Sequence, residues 1–244
     1  MKKILVILFI FLLINGCTST YSWGWYVINP KLDNGYTNII FLLSGLYITL
    51  SISLLSIIIS LIIGLLISLI GFSKYKLLQL FNRFYIELFR SIPLLVLLLW
   101  VYYGLPIVFG ISFNPFVAGI ISLAFSDSAF EAEVFRAGIQ SINKGQKDAA
   151  KSVGLNKYQS MRLIIIPQAF RIILPAIGNQ FVYVVKMSSL VSIIGLADLT
   201  RKANELVVSV YRPLEIYTFL VFEYLILILI ISYFVRKLEN KLKY

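Results

Sequence analysis

The sequence predicts an all-α, polytopic membrane fold with about five spans, and two observations carry that prediction. The chain of 244 residues is 59% hydrophobic and only 14% charged, with a mean hydropathy of +0.90. That is too little polar surface to clothe a water-soluble domain. Its charge-free runs are also long: Asn34 to Ser73, Ser91 to Ser126, and Ile216 to Val235 interrupted only by Glu223. A helix needs about 20 apolar residues to cross roughly 30 Å of hydrocarbon, so each run holds at least one span.

The first element is the N-terminal stretch. Lys2 and Lys3 precede an apolar run from Ile4 to Ile14, too short to span comfortably but suited to the core of a secretory signal. Leu13-Ile14-Asn15-Gly16-Cys17 resembles a bacterial lipobox, which makes residues 1–17 a signal or lipobox-like segment and Cys17 a candidate for lipidation. An uncleaved anchor with an idle thiol is the other reading. Either leaves 18–44 as an external and interfacial segment, with the apolar Tyr36 to Ser44 along the interface.

Five spans follow, over Gly45 to Ile70, Ile92 to Phe109, Pro115 to Phe130, Leu174 to Ile194 and Leu214 to Val235. Gly104, Pro106, Gly110 and Pro115 mark a tight turn between the second and third. Lys and Arg are retained on the cytoplasmic side of short loops. Fifteen of them fall in the first loop, the third loop (131–171) and the tail, against Lys31, Arg201, Lys202 and Arg212 on the other side. The mature N-terminus is therefore expected outside and the C-terminus in the cytoplasm.

This topology also accounts for the formal charge of +11. The basic residues flank apolar runs without the aromatic interleaving of a nucleic-acid platform, so no nucleic-acid partner is expected. With no His and one Cys, His-based acid–base chemistry, a clustered zinc site and an intrachain disulfide are excluded. No G-x-x-x-x-G-K-[ST] run cradles a phosphate, so the chain is not expected to hydrolyse ATP or to hold a cofactor.

The third loop carries the most specific pattern. Asp148-Ala149-Ala150 stands three positions before Gly154 and, nine further on, Ile164-Ile165-Ile166-Pro167. This resembles the E-A-A-x3-G-x9-I-x-L-P signature of the permease subunits of ABC importers, with Asp148 in place of Glu and Ile166 in place of Leu. Phe89 to Leu95, Tyr102 to Pro106, Ala132 to Ile142 and Lys186 to Val191 extend the likeness to the polar amino acid branch of that family, Met187 standing where a polar residue is usual.

The resemblance implies a type I importer transmembrane domain over 45–244, paired with a second, identical or similar permease subunit. It also implies two ATP-binding cassette subunits that bind ATP and magnesium, an external solute-binding protein, and a bacterial inner membrane. Asp148, Ala149, Ala150, Gly154 and Pro167 would form the loop that seats in the ATPase. In physical terms, the alanines permit close approach, Asp148 favours a helix's N-terminal side and Gly154 ends or bends the helix.

Ionisable groups at membrane depth cost about 2.5–3.5 kcal/mol on insertion scales and usually face a bundle interior or a watery path. Lys186, with Ser188 and Ser189 beside it, and Asp127, with Glu131 one turn later, are the candidates for a substrate pathway. Asp127 would receive an amino acid's ammonium and Lys186 its carboxylate; alternatively Lys186 pairs with a neighbouring helix. Asp127, Lys186 and Glu223 could instead form the relay of an ion-coupled secondary transporter, although no internal repeat is evident. The outer segment Gly195 to Pro213 is either a docking site for the binding protein or a solvated loop.

Overall fold

The computed structural model describes residues 21–242; Cys17 and the segment 1–17 lie outside that range. Among the described residues the chain is helical and without strands. After a short 3-10 turn at Trp25–Ile28 come α1 (Asp33–Leu43) and α2 (Leu46–Gly71). Ser44 and Gly45 keep right-handed helical angles between them, so Tyr36 to Ser44 continues into the first span as one 39-residue helical stretch.

The sequence of α2 explains its placement. Thr49, Ser53, Ser56, Ser60, Gly64 and Ser68 recur every three or four residues on its buried face. Leu54, Leu55, Ile58, Ile62, Leu65, Leu66 and Leu69 are exposed. Small polar residues inside and large apolar ones outside invert the pattern of a soluble helix, because lipid solvates the outer face while small side chains let helices approach closely.

The amphipathic α3 (Lys76–Ser91) follows. Pro93, which has no N–H to donate, marks a bend of 97° into the second span. That span runs through α4 (Leu94–Leu99), a π-helical turn at Trp100–Gly104 and α5 (Leu105–Phe109). Gly104 and Pro106 thus lie inside the span expected over Ile92 to Phe109, and of the four residues read as marking the turn only Gly110 and Pro115 bound it. The Leu105 N–H reaches back five residues to Trp100, a widened turn directly before the proline. The break comes later, where Gly110 adopts φ 69°. Asn114 then caps α6 (Pro115–Gln140), its side chain accepting from Val117 N–H at 2.8 Å.

α6 is the central helix. It packs along the small-residue face of α2 and also meets α3, α4 and the long helix that follows the third loop. Among the described residues, three helical stretches, and α3 taken together with the helix after its bend, are long and apolar enough to cross a membrane; α6, which carries carboxylates on its buried face, completes about five spans. The third loop is itself mostly helical, with the end of α6, α7 (Lys144–Ser152), α8 (Lys157–Ser160), a π turn at Met161–Ile165 and the start of α9 (Ile166–Met187). A 3-10 segment, Ser188–Ile194, ends at Gly195 with φ 84°. The outer segment forms α10 (Leu199–Val210), and α11 (Pro213–Leu242) is the last span.

Candidate functional site

The elbow at Asp148–Pro167 is built on an apolar base. Ile139, Ile142, Ile165, Ala169 and Ile173 form one buried cluster joining the end of α6 to the start of α9, and α7 rests on the π turn above it. Asn143 caps α7 by accepting from Gly145 N–H at 2.8 Å. At the other end Gly154 N–H donates to Lys151 O at 2.9 Å and Leu155 N–H to Ala150 O at 3.0 Å. This reciprocal pair closes the helix around Gly154, whose φ of 78° suits glycine.

The two alanines divide their work. Ala150 is 1% exposed and faces the base, whereas Ala149 is exposed and stands one turn before the exposed Val153. A small apolar strip is thus presented outward. Asp148 departs from expectation: it is the fifth of nine residues, and the first turn holds no acidic group. Its carboxylate lies 3.5 Å from Lys151 with both side chains largely exposed, a contact worth about 0–1 kcal/mol. Pro167 sits at the second position of α9, after the π turn in which Ile166 N–H reaches back to Met161 O.

A second polar centre lies between α2, α6 and α9. Asp127 is buried and accepts from Ser60 Oγ at 2.5 Å and from Gln180 Nε2 at 2.5 Å. One turn on, Glu131 is 0% exposed, and neither of its oxygens has a partner. Gly64 makes room for it: a Cβ there would stand 2.6 Å from the Glu131 Cβ. Ser128 and Tyr85 share a hydrogen bond of 2.7 Å on the neighbouring side.

Lys186 does not oppose Asp127. Among the described residues it makes no ion pair, and it is exposed on the same face of α9 as Asn179 and Tyr183. Ser188 Oγ donates to Val185 O and Ser189 Oγ to Lys186 O, both at 2.8 Å, so both hydroxyls are satisfied locally. Gln180 and Ser60 were not singled out from sequence. A glutamine inside an apolar run was the available signal for the first, but a serine on an already serine-rich helix gave none for the second.

Glu223 lies apart, in a 200 Å³ apolar cavity with Leu43, Leu46 and Phe222 among its walls, and its oxygens also lack partners. On the outer side Asp198 caps α10 by accepting from Arg201 N–H at 2.9 Å. Arg201 pairs with Glu205 at 2.8 Å, and Lys202 lies 4.3 Å from the centre of the Phe41 ring, so the segment's charges are engaged in a folded helix. Gly24 N–H, at 2.5 Å, and the Tyr21 hydroxyl both donate to Glu215. That carboxylate pushes the Tyr21 phenol above its ordinary value. No group of three or more His, Cys, Asp or Glu able to hold a metal occurs among the described residues.

Residues 60–244 match the family model described as the binding-protein-dependent transport system inner membrane component. The arginine transport system permease protein of Bacillus subtilis (strain 168) is 38% identical over 203 residues, 83% of this chain and 93% of that protein. The glutamine transport system permease protein of Escherichia coli (strain K12) is 35% identical over 160 residues, 65% of this chain and 73% of that protein. Among solved structures, an amino acid ABC transporter crystallised with histidines is 38% identical. It matches with a TM-score of 0.83, covering 91% of this chain and 100% of that one. An inward-facing methionine ABC transporter shares the fold, with a TM-score of 0.73 at 19% identity over 84% of this chain and 98% of that one.

Proposed function

Because the chain belongs to the binding-protein-dependent transport system inner membrane component family, we propose that it forms the translocation pathway of an ATP-driven importer for a polar amino acid. The relatives named for arginine and glutamine transport support that substrate class. The observation that carries the mechanism is the elbow, a short helix with a glycine-closed end that presents Ala149 and Val153 outward. Its base holds the inner ends of α6 and α9 together.

In this reading ATP and magnesium are bound, and ATP is hydrolysed, by two partner cassette subunits, while this chain carries out no bond chemistry. The ATPases grip α7 through the Ala149 strip, and their closure turns α6 and α9 as one body. A second permease subunit covers the exposed Asn179, Tyr183 and Lys186 face of α9, which places Lys186 on the pathway while Asp127 braces it through Gln180. An external binding protein delivers the solute. The excess of Lys and Arg on the elbow's side supports a cytoplasmic position for that side of a bacterial inner membrane, with the mature N-terminus outside.

The ion-coupled alternative is not favoured. Asp127 is held by Ser60 and Gln180, Lys186 faces outward, and Glu223 sits in a separate apolar cavity, so the three do not form a relay. Uptake by the reconstituted complex tests the proposal. It should require ATP, resist a protonophore and fall at least tenfold with Ala149→Glu while the subunits still assemble. Uptake driven by an ion gradient without ATP would overturn it.

A further inference from the structure

The helix α3 has three faces, and one of them is unexplained by transport through the bundle. Leu77, Leu80, Phe81, Phe84 and Leu88 form an exposed apolar stripe suited to lipid. Asn82, Tyr85, Ile86 and Phe89 pack inward against α2 and α6. The remaining face, carrying Arg83, Glu87 and Arg90, borders a cavity of about 430 Å³ completed by Glu133, Arg136 and Gln140 of α6. That volume falls in the range of small-molecule sites.

Some of the charges there are already engaged. Glu133 is shared by Arg90 at 3.1 Å and Arg136 at 2.6 Å, and Arg90 also stacks over Phe130 with its guanidinium 5.2 Å from the ring centre. Two groups of opposite sign are left over. Arg83 and Glu87 are both exposed and stand four residues apart on one helix, in the basic-before-acidic order that pairs less well than its reverse. Neither makes an ion pair among the described residues. Gln140 adds an uncommitted amide to the same wall.

We propose that this cavity, on the elbow's side of the bundle, is a binding site for a free amino acid. The Arg83 guanidinium would take its carboxylate and Glu87 its ammonium. The balance of the two free charges selects a zwitterion: a phosphate or other simple anion would meet Glu87, and a simple cation would meet Arg83. The inference rests on the amino acid importer reading, and it places a second contact for the solute on the side of release, apart from Asp127 and Lys186.

The test uses the whole complex in lipid nanodiscs without the external binding protein. Equilibrium binding is measured for L-arginine and L-glutamine, for the α-amide of the better binder, and for inorganic phosphate. The amino acid should bind, and Arg83→Gln or Glu87→Gln should each weaken the site by about tenfold or more. The α-amide should bind weakly to the wild type and phosphate not at all. In vesicles preloaded with the amino acid, wild-type uptake should be slower than in empty ones, and both variants should lose that slowing while keeping their uptake into empty vesicles.

Binding untouched by both variants, phosphate binding as tight as the amino acid's, or an equal loss of uptake in empty and loaded vesicles would overturn the site. That last result would mark an ATPase contact instead. A complex that binds the amino acid in this variant-sensitive way but does not import it with ATP would overturn the transport reading and leave the site standing.

Discussion

Asp127 and Glu131 occupy the same face of α6 one turn apart, yet only the first has partners. Removing the Asp127 carboxylate would leave Ser60 and Gln180 without their acceptor. Asp127→Ala should therefore destabilise the assembled complex by about 1–3 kcal/mol, and Asp127→Asn, which keeps an acceptor oxygen, by less; thermal unfolding in detergent measures both. Lys186 presents the opposite case, an exposed cation with no local bond to lose. Lys186→Met should leave assembly and melting unchanged while reducing ATP-dependent uptake, and full uptake would remove it from the pathway. The sequence showed that these ionisable groups sat at membrane depth, but it could not show which of them were partnered. Partnership depended on Gln180, which lies 53 residues from Asp127 and meets it only once α6 and α9 are packed.

Among the elements, the seam between α2 and α6 and the end of α7 are the most exacting. Gly64→Ala would drive a methyl group into the Glu131 Cβ and leave it 3.0 Å from Ser128 O. Overpacking of this kind costs about 1–3 kcal/mol and should appear as a lower yield of assembled complex. A Cβ at Gly154 would meet no neighbour within 4 Å, so the cost of Gly154→Ala is one of backbone angle, about 1–2 kcal/mol for a side chain held in the left-handed region. The expected outcome is uncoupling, with ATP hydrolysis retained and uptake reduced. The elbow was legible because its spacing is local, and a glycine closing a short helix is a sequence signal. The helix in the outer segment, read as either a docking site or a solvated loop, was not legible, because Asp198 acts as its cap and Lys202 covers Phe41. Gly104 and Pro106 gave no sign of the π turn that absorbs the proline without breaking the span.

At the scale of the whole molecule, apolar runs read against Gly and Pro breakers marked out the spans, because in lipid the apolar run and the crossing length coincide. It missed how far the helices run on: α6 extends ten residues beyond the expected end of its span, to Gln140, and the helical stretch containing α9 begins at Lys157. Those extensions carry the elbow clear of the bundle. A single cysteine at Ser152, in a chain whose Cys17 is replaced by serine, should be labelled by an impermeant reagent only from the cytoplasmic side; labelling from the outside would invert the proposed orientation.

The right angle at Pro93 has a mechanical corollary. If α4 and α5 cross the bilayer, α3 lies close to its surface with Leu77, Phe81 and Phe84 dipping among the acyl chains, like a float fixed to a mast. Thickening the bilayer would lift that float or tilt the mast, and the strain would fall on the seam where Tyr85 and Phe89 meet α6. Import rates should consequently vary with acyl-chain length in otherwise identical vesicles, passing through an optimum where the hydrocarbon thickness matches the mast.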